Sequence, residues 1–325
     1  MTEARKVRYG DELIYDAEFT RKFIAWIEPI ARAYFRAEVR GAELLPRKQT
    51  LLVSHHDGGM MPIDSLFVGK AWHERFSFHR PLHVLVHDMV LRFARPLRRI
   101  GAVLADRHNL DRLIESGRSA LIYPGAAHET FRPFWERKII TLGNRTGFIK
   151  HALHKRILLT PVVSAGVHET FVVLSRGSWL AERLRFRELF RANVFPVVAG
   201  LPFGIWLGAF FPQLPLPAKI TVQIMPPVDL VPWAERLLGR AEALAHEHPV
   251  DRQRLALHLA PELIGDIIEQ VGKDIDGHEV EGHIVLLGQH RAKEHRLAIR
   301  AEAGGVQDVF VGRVGFERQL ALVFL

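Results

Sequence analysis

The chain has 325 residues, 44 Lys+Arg against 36 Asp+Glu for a formal charge of +8, and 48% hydrophobic residues. That length and apolar content exclude a disordered or collagen-like chain and allow a sizeable core. The complete lack of cysteine excludes disulfides, thiol nucleophiles, iron–sulfur clusters and cysteine-based zinc sites, and the basic excess leaves nucleic acid, an anionic membrane or an anionic substrate as the partner to be identified.

The first ten residues carry basic side chains with no apolar run behind them, so no signal peptide is expected. Residues 12–38 read as helix, with Ile14, Phe19, Phe23, Ile24, Trp26, Ile27, Ile30 and Tyr34 largely on one face. Pro29 is expected to kink or divide it. This amphipathic segment, assigned to residues 1–44, either packs on the core or lies in a membrane interface. Short apolar runs at 50–54, 83–86, 102–105, 120–123, 158–163 and 220–225 read as strands. Helices are expected between several of them, at 62–70, 89–97, 109–116 and 146–153. Such alternation predicts an α/β fold with a mostly parallel central sheet flanked by helices, assigned to residues 45–272.

Residues 194–212, VFPVVAGLPFGIWLGAFFP, are uncharged and about as long as a membrane span. Three prolines and three glycines argue against a straight spanning helix. Two readings stay open: a buried loop-and-helix segment, or an apolar element dipping into one leaflet. Arg183, Arg185, Arg187 and Arg191 precede it and suit an anionic bilayer surface. Helices are expected at 230–245 and 251–272. Residues 273–325 form an extension of unknown role, either a strand pair with a helix or a tail.

Four segments carry the chemistry. VSHHDGGMMPIDSLF, residues 53–67, runs from a strand end through two histidines and an Asp into a Gly-Gly turn. A histidine at the carboxyl end of a strand can act as general base for a hydroxyl, with a carboxylate orienting it. His56 is the candidate base, and Asp57 and Asp64 are the candidate carboxylates. GAVLADRHNLDRLI, residues 101–114, places Arg107 after a short strand. ALIYPGAAHETFRP, residues 120–133, again runs from strand to Gly turn, with His128, Glu129 and Arg132 beyond it. Backbone N–H groups and cations at such a turn can hold a phosphate or an oxyanion. Residues 144–170 add Arg145 and Lys150. Cations at the ends of successive strands suit a phosphate-bearing substrate.

In this order and at these separations the four segments resemble the blocks of the phospholipid/glycerol acyltransferase family, most closely its diacylglycerol-acyltransferase-like branch. The resemblance covers roughly residues 45–230. It implies that His56, within His-Asp-Gly-Gly-Met-Met-Pro-Ile-Asp, deprotonates an acceptor hydroxyl that attacks an acyl thioester. Asp64 matches the family's Asp, eight residues after His56 rather than the more usual five; branches with Gly-Gly and Pro in this loop resemble the longer spacing. In the third block Gly125 and Glu129 match, and His128 stands where the branch carries Arg. That replacement favours a neutral acceptor such as a diacylglycerol. Arg107, Gly125, His128, Glu129, Arg132, Arg145 and Lys150 are the expected substrate-binding residues.

The resemblance further implies no cofactor and no metal, with acyl-CoA as co-substrate. The expected partners are an acyl-CoA or acyl carrier protein donor, a lipid acceptor and an anionic membrane surface, without nucleic acid. The expected location is peripheral or monotopic, on the cytoplasmic face of a membrane. Three rivals stand beside this reading. An α/β-hydrolase esterase would need a Gly-x-Ser-x-Gly elbow, and Val162-Val163-Ser164-Ala165-Gly166 lacks its first glycine. A metal hydrolase would need His55, His56 and Asp57 to converge on one ion from adjacent positions. The third rival is a non-enzymatic lipid- or nucleic-acid-binding protein.

Overall fold

The structure, a computed structural model, describes residues 13–57, 59, 62–125, 129–137, 139–141, 147–185, 194–201, 204–208, 214–232, 235, 284–287 and 321–324. In chain order the elements are α1 (Ala17–Phe35), β1 (Glu38–Arg40), β2 (Thr50–Ser54), α2 (Asp64–Phe76), β3 (Leu82–Val86), α3 (Asp88–Phe93), β4 (Ala102–Leu104), α4 (Arg107–Glu115) and β5 (Ser119–Ile122). They continue with β6 (Ile139–Thr141), α5 (Gly147–Lys155), β7 (Leu158–Ala165), β8 (Val172–Ser175), α6 (Ser178–Arg183), β9 (Val197–Gly200), β10 (Gly204–Leu207), β11 (Thr221–Ile224), β12 (Ile284–Leu287) and β13 (Ala321–Phe324).

The chain divides into two compact units, one of residues 1–137 with 157–227 and the other of residues 138–156 with 228–325. The first is built on a seven-stranded sheet in the order β1-β11-β7-β2-β5-β3-β4. Every neighbouring pair in it is parallel except β11 with β7. The fold is therefore α/β with a mostly parallel central sheet flanked by helices. The central strands are apolar on both faces, as strands covered by helices must be: Leu51, Leu52 and Leu121 are all but inaccessible.

α2 packs on one face of the sheet through Phe67, Val68, Ala71 and Trp72, which repeat at helical spacing. They join Leu52, Leu121, Val162, Val222 and Ile224 in the main core. α1 begins at Asp16, whose carboxylate accepts from the Phe19 amide at 2.9 Å. It runs as one helix through Pro29, against the expected division. Ala25 and Pro29 are both exposed, so the carbonyl that loses its hydrogen bond to proline meets solvent.

Residues 194–212 bring a second correction. No helix forms in the described part; β9 and β10 pair antiparallel, from Val197↔Leu207 to Gly200↔Gly204, and β8 extends them into a three-stranded sheet. Four-residue apolar runs bounded by glycine and proline are too short for helix and fit strands. Among the described residues no helix is long and apolar enough to cross a membrane.

In the second unit, α5 accompanies a small antiparallel sheet in which β13 lies between β12 and β6. The helices expected at 230–245 and 251–272 lie almost entirely outside the described residues.

Candidate functional site

β2 lies between β5 and β7, and all three run parallel. Their carboxyl ends therefore open on the same edge of the sheet, where loops can present side chains to a crevice. The segment after β2 supplies His55, His56 and Asp57. The turn after β5 supplies Tyr123 and Gly125, followed by Glu129 and Arg132. The end of β7 supplies Ser164, and the turn beyond it His168.

The two adjacent histidines do opposite things. His55 is buried and held at both ring nitrogens: Nδ1 lies 2.9 Å from Asp57 Oδ2, and Nε2 accepts the backbone N–H of Ser164 at 3.0 Å. Burial works against a charge on this ring, but Asp57 outweighs it and raises the pKa. A second proton would have to displace the Ser164 N–H. His56 is half-buried, and its ring packs against Tyr123 with centroids 5.2 Å apart. Its Nδ1 is buried and has no hydrogen-bond partner among the described residues. Burial pulls its pKa down to about 4; Asp57 opposes this, and Arg132 and His55 add to it. At neutral pH the His56 ring is uncharged, the state a general base needs before it takes a proton.

The His56 backbone is pinned from the turn after β5. Its N–H donates to Glu129 Oε2 at 2.9 Å, and its carbonyl accepts from Arg132 Nη1 at 3.3 Å. Gly125 is what lets Glu129 in, since a Cβ there would overlap the carboxylate. Arg132 has no accessible surface. Its guanidinium is spent on Asp57, on the carbonyls of His56 and Glu129, and on the carbonyl of Arg137. A buried guanidinium is tolerable only when paired and hydrogen-bonded in this way. Burial would raise the Asp57 carboxyl, but His55 and Arg132 outweigh it and hold Asp57 well below the ordinary range. For Glu129 burial wins and lifts the pKa to about 7.

Asp64 opens α2 at the bottom of the same pocket of polar groups. Its Oδ2 accepts from Ser164 Oγ at 3.1 Å, from Tyr123 Oη at 3.3 Å and from Ser54 Oγ at 3.5 Å. Burial raises its pKa to about 6. Its other oxygen, Oδ1, is buried without a hydrogen-bond partner among the described residues. Gly59, at φ +80, bends the loop between His56 and Asp64; a Cβ there would press on the Phe171 ring at 3.0 Å.

The structure thus gathers His56, Asp57, Gly125, Glu129 and Arg132 into one hydrogen-bonded cluster, with Asp64 joined to it through Tyr123 and Ser164. Arg107 lies apart. It is exposed at the start of α4, after the edge strand β4. Three strand intervals of about 4.8 Å separate that strand from β2. Lys150 is exposed on α5 in the second unit. His128 and Arg145 lie outside the described residues. Arg132, one of the expected substrate-binding cations, is an interior strut whose guanidinium faces Asp57 and backbone carbonyls.

Tyr123, Ser54 and His168 were not singled out from sequence, and Ser164 was considered only as a failed nucleophile elbow. His168 is buried with Nδ1 3.8 Å from Asp57 Oδ1, and burial pulls its pKa down to about 4 despite Asp57. The available signal was position: Ser54 and Tyr123 each stand at the carboxyl end of a strand beside a recognised block. Among the described residues no group of three or more His, Asp or Glu side chains has the geometry to hold a metal ion.

Known proteins bear on this site. A family model described as diacylglycerol acyltransferase matches residues 10–230. An uncharacterized protein of Mycobacterium tuberculosis is 28% identical over 233 residues, covering 69% of this chain and 61% of the relative. A mouse protein named DGAT1/2-independent enzyme synthesizing storage lipids is 26% identical, covering 65% of this chain and 60% of the relative. Human diacylglycerol O-acyltransferase 2 is 26% identical, covering 50% of this chain and 44% of its own. The matches thus span less than two thirds of these relatives. Among solved structures, the 1-acyl-sn-glycerophosphate acyltransferase PlsC of Thermotoga maritima aligns with a TM-score of 0.39 at 15% identity, covering 81% of this chain and 85% of that one. The family match takes in the whole cluster around His56, and the chain belongs to the diacylglycerol acyltransferase family.

Proposed function

We propose that this protein transfers a fatty acyl group from an acyl thioester, with acyl-CoA as donor, to the hydroxyl of a neutral glycerolipid or related lipid alcohol at a membrane surface. His56 Nε2 takes the acceptor's proton. The oxygen attacks the thioester carbonyl, the tetrahedral oxyanion collapses, and the carbon–sulfur bond breaks. The thiolate leaves with the proton returned by His56, giving ester and free thiol. Backbone N–H groups of the turns at Gly59 or Gly125 are suited to the oxyanion. Asp64 partners the ring, and Asp57 acts one step back by fixing His55.

One observation carries this assignment. His56 Nδ1 and Asp64 Oδ1 are both buried without a hydrogen-bond partner among the described residues, and Tyr123 lies against the residues that carry them, its ring on the His56 ring and its hydroxyl donating to the other Asp64 oxygen, Oδ2. A ring N–H and a carboxylate oxygen are complementary, and leaving either unpaired costs about 1–3 kcal/mol. Pairing them satisfies both and leaves Nε2 for the acceptor. Ser164, by contrast, is buried with its hydroxyl donated to Asp64, which does not suit a hydrolase nucleophile.

The test is incubation with radiolabelled acyl-CoA, or acyl carrier protein in its place, and a panel of glycerolipid acceptors. Donor-dependent ester formation that His56→Ala abolishes is the expected result. Equal turnover by that variant, or labelling by a serine-reactive fluorophosphonate, would overturn the reading.

A further inference from the structure

The second half of α1 buries Ala31 and Phe35 in the core but carries a second apolar face as well. Glu28 points inward, paired with Arg32 at 2.5 Å, while Trp26 is 67% and Ile30 56% exposed. Residues 26, 30 and 34 recur every fourth position, so Trp26, Ile30 and Tyr34 form one outward stripe. Pro29 and Ala33, also exposed, widen it. A helix resting on a soluble core shows polar side chains on this face.

The β9–β10 hairpin repeats the anomaly. Along β10, Trp206 turns inward against the small core of Phe131, Phe171, Val173, Val194 and Val198. Its neighbours Ile205 and Leu207 turn outward, with Ile205 69% exposed. A strand in a sheet covered on one side alternates apolar with polar; this one is apolar on both faces.

Hydrogen bonds join the two regions. Tyr34 Oη donates to the Pro215 carbonyl at 2.8 Å. The adjacent Leu214, itself exposed, donates its N–H to the carbonyl of exposed Leu201, at the hairpin tip, at 3.3 Å. The 214–215 segment thus links the Tyr34 end of the α1 stripe to the tip of the hairpin. Cations border it. Arg36 ends α1 two residues beyond Tyr34 and is exposed. Arg183 and Arg185 are exposed on either side of exposed Leu184. They follow the Arg176–Gly177 turn, which meets the hairpin base where the Phe195 N–H donates to the Arg176 carbonyl at 3.0 Å.

We infer that this face is a docking surface for a lipid bilayer leaflet with anionic headgroups: Leu201, Ile205 and Leu207 enter the acyl region, Trp26, Ile30 and Tyr34 lie at its boundary, and the arginines meet the phosphates. An apolar body rimmed by Trp, Tyr and Arg is the chemistry of an interfacial anchor rather than of a protein partner with a shaped pocket. The inference rests on the proposed function only in supplying the lipid acceptor, and it assigns the membrane contact to a face on which no candidate catalytic residue lies.

The test is sedimentation of the full chain with vesicles of phosphatidylcholine, alone and mixed with phosphatidylglycerol. The wild-type protein is expected to bind the mixed vesicles more tightly and to release them with salt. The Trp26→Glu/Ile205→Glu pair is expected to lose binding about tenfold or more, and Arg183→Glu/Arg185→Glu to lose the preference for phosphatidylglycerol. Circular dichroism checks their folds. Activity toward short-chain, water-dispersed donor and acceptor is expected to survive in both. Wild-type protein that binds no vesicle, face variants that bind like wild type, or a homodimer that these variants dissociate would each overturn the inference. His56→Ala is expected to bind vesicles normally while losing acyl transfer; wild-type protein that binds vesicles but transfers no acyl group would sink the enzymatic reading and leave the surface standing.

Discussion

Two regions of the first unit reverse the usual distribution of side chains. At the carboxyl ends of β2, β5 and β7, His55, Asp57, Glu129 and Arg132 are buried together. Along α1 and the β9–β10 hairpin, Trp26, Ile30, Ile205 and Leu207 face outward. The buried charges are tolerated because each meets an opposite charge or a backbone group within hydrogen-bonding reach. The exposed apolar groups are not covered by any of the described residues. The first arrangement is largely satisfied by its own members, with His56 Nδ1 and Asp64 Oδ1 left over; the second is where the inferred bilayer contact lies. A site that must be rigid and a surface that must be adhesive are thus kept on different elements.

The largest expected effect breaks the polar side of this comparison. His56→Ala should lower acyl transfer by about 10²–10⁴-fold, read as single-turnover ester formation, with the far-ultraviolet spectrum unchanged. His55→Ala should instead lose stability, because it strips Asp57 and the Ser164 N–H of a buried partner. Equal behaviour of the two variants would erase the distinction drawn between them.

Next in size is Arg132→Met. It leaves Asp57 charged and buried, with an expected cost of about 3–5 kcal/mol, measured by urea unfolding at pH 7. A loss no larger than that of an ordinary surface substitution would show that Arg132 is not the strut described here.

Glu129→Gln sharpens the electrostatics and carries a sign. The folded-state pKa of about 7 stands above the ordinary carboxylate value. The folded chain therefore binds this proton more tightly than the unfolded chain, and the stability so gained, full below about pH 4.5, is lost as pH rises to 7. Gln keeps the acceptor for the His56 N–H without the charge. The variant should match wild type near pH 4.5 and exceed it by about 3 kcal/mol at pH 8, as read from unfolding at the two pH values. Stabilisation of equal size at both would contradict a buried, titrating Glu129.

The smallest expected effect tests the apolar side. Trp26→Glu and Ile205→Glu should each change unfolding free energy by no more than about 0.5 kcal/mol, since neither side chain is packed. A loss of several kcal/mol would mean that the face is core after all.

Much of the fold was legible because its signals are local. The runs at 50–54, 102–105 and 120–123 coincide with β2, β4 and β5 to within a residue, each being a short apolar run bounded by turn residues. The hairpin was not: Val197–Gly200 and Gly204–Leu207 share the composition of a buried loop, and only pairing with each other and with β8 makes them strands. The site was legible as a set of blocks but not as a wiring. His55 and His56 are chemically identical neighbours, yet the groups that distinguish them lie far off in the chain. Ser164 is 109 residues from His55, and Glu129 is 73 from His56. Arg132 reads as a substrate-binding cation because nothing adjacent to it announces Asp57, 75 residues away.

The sequence by itself determined the alternation of strands and helices, the glycine-bearing turns at strand ends and the residue types of the four blocks, since these depend on neighbours within a few positions. Tertiary structure alone decided which histidine is locked and which is left with an unpartnered nitrogen. It also turned Arg132 inward, and it left Trp26 and Ile205 uncovered while Glu28 went in. Burial and pairing are properties of surfaces that meet only after folding, and a count of +8 or of 48% hydrophobic residues is the same whichever side chains end inside.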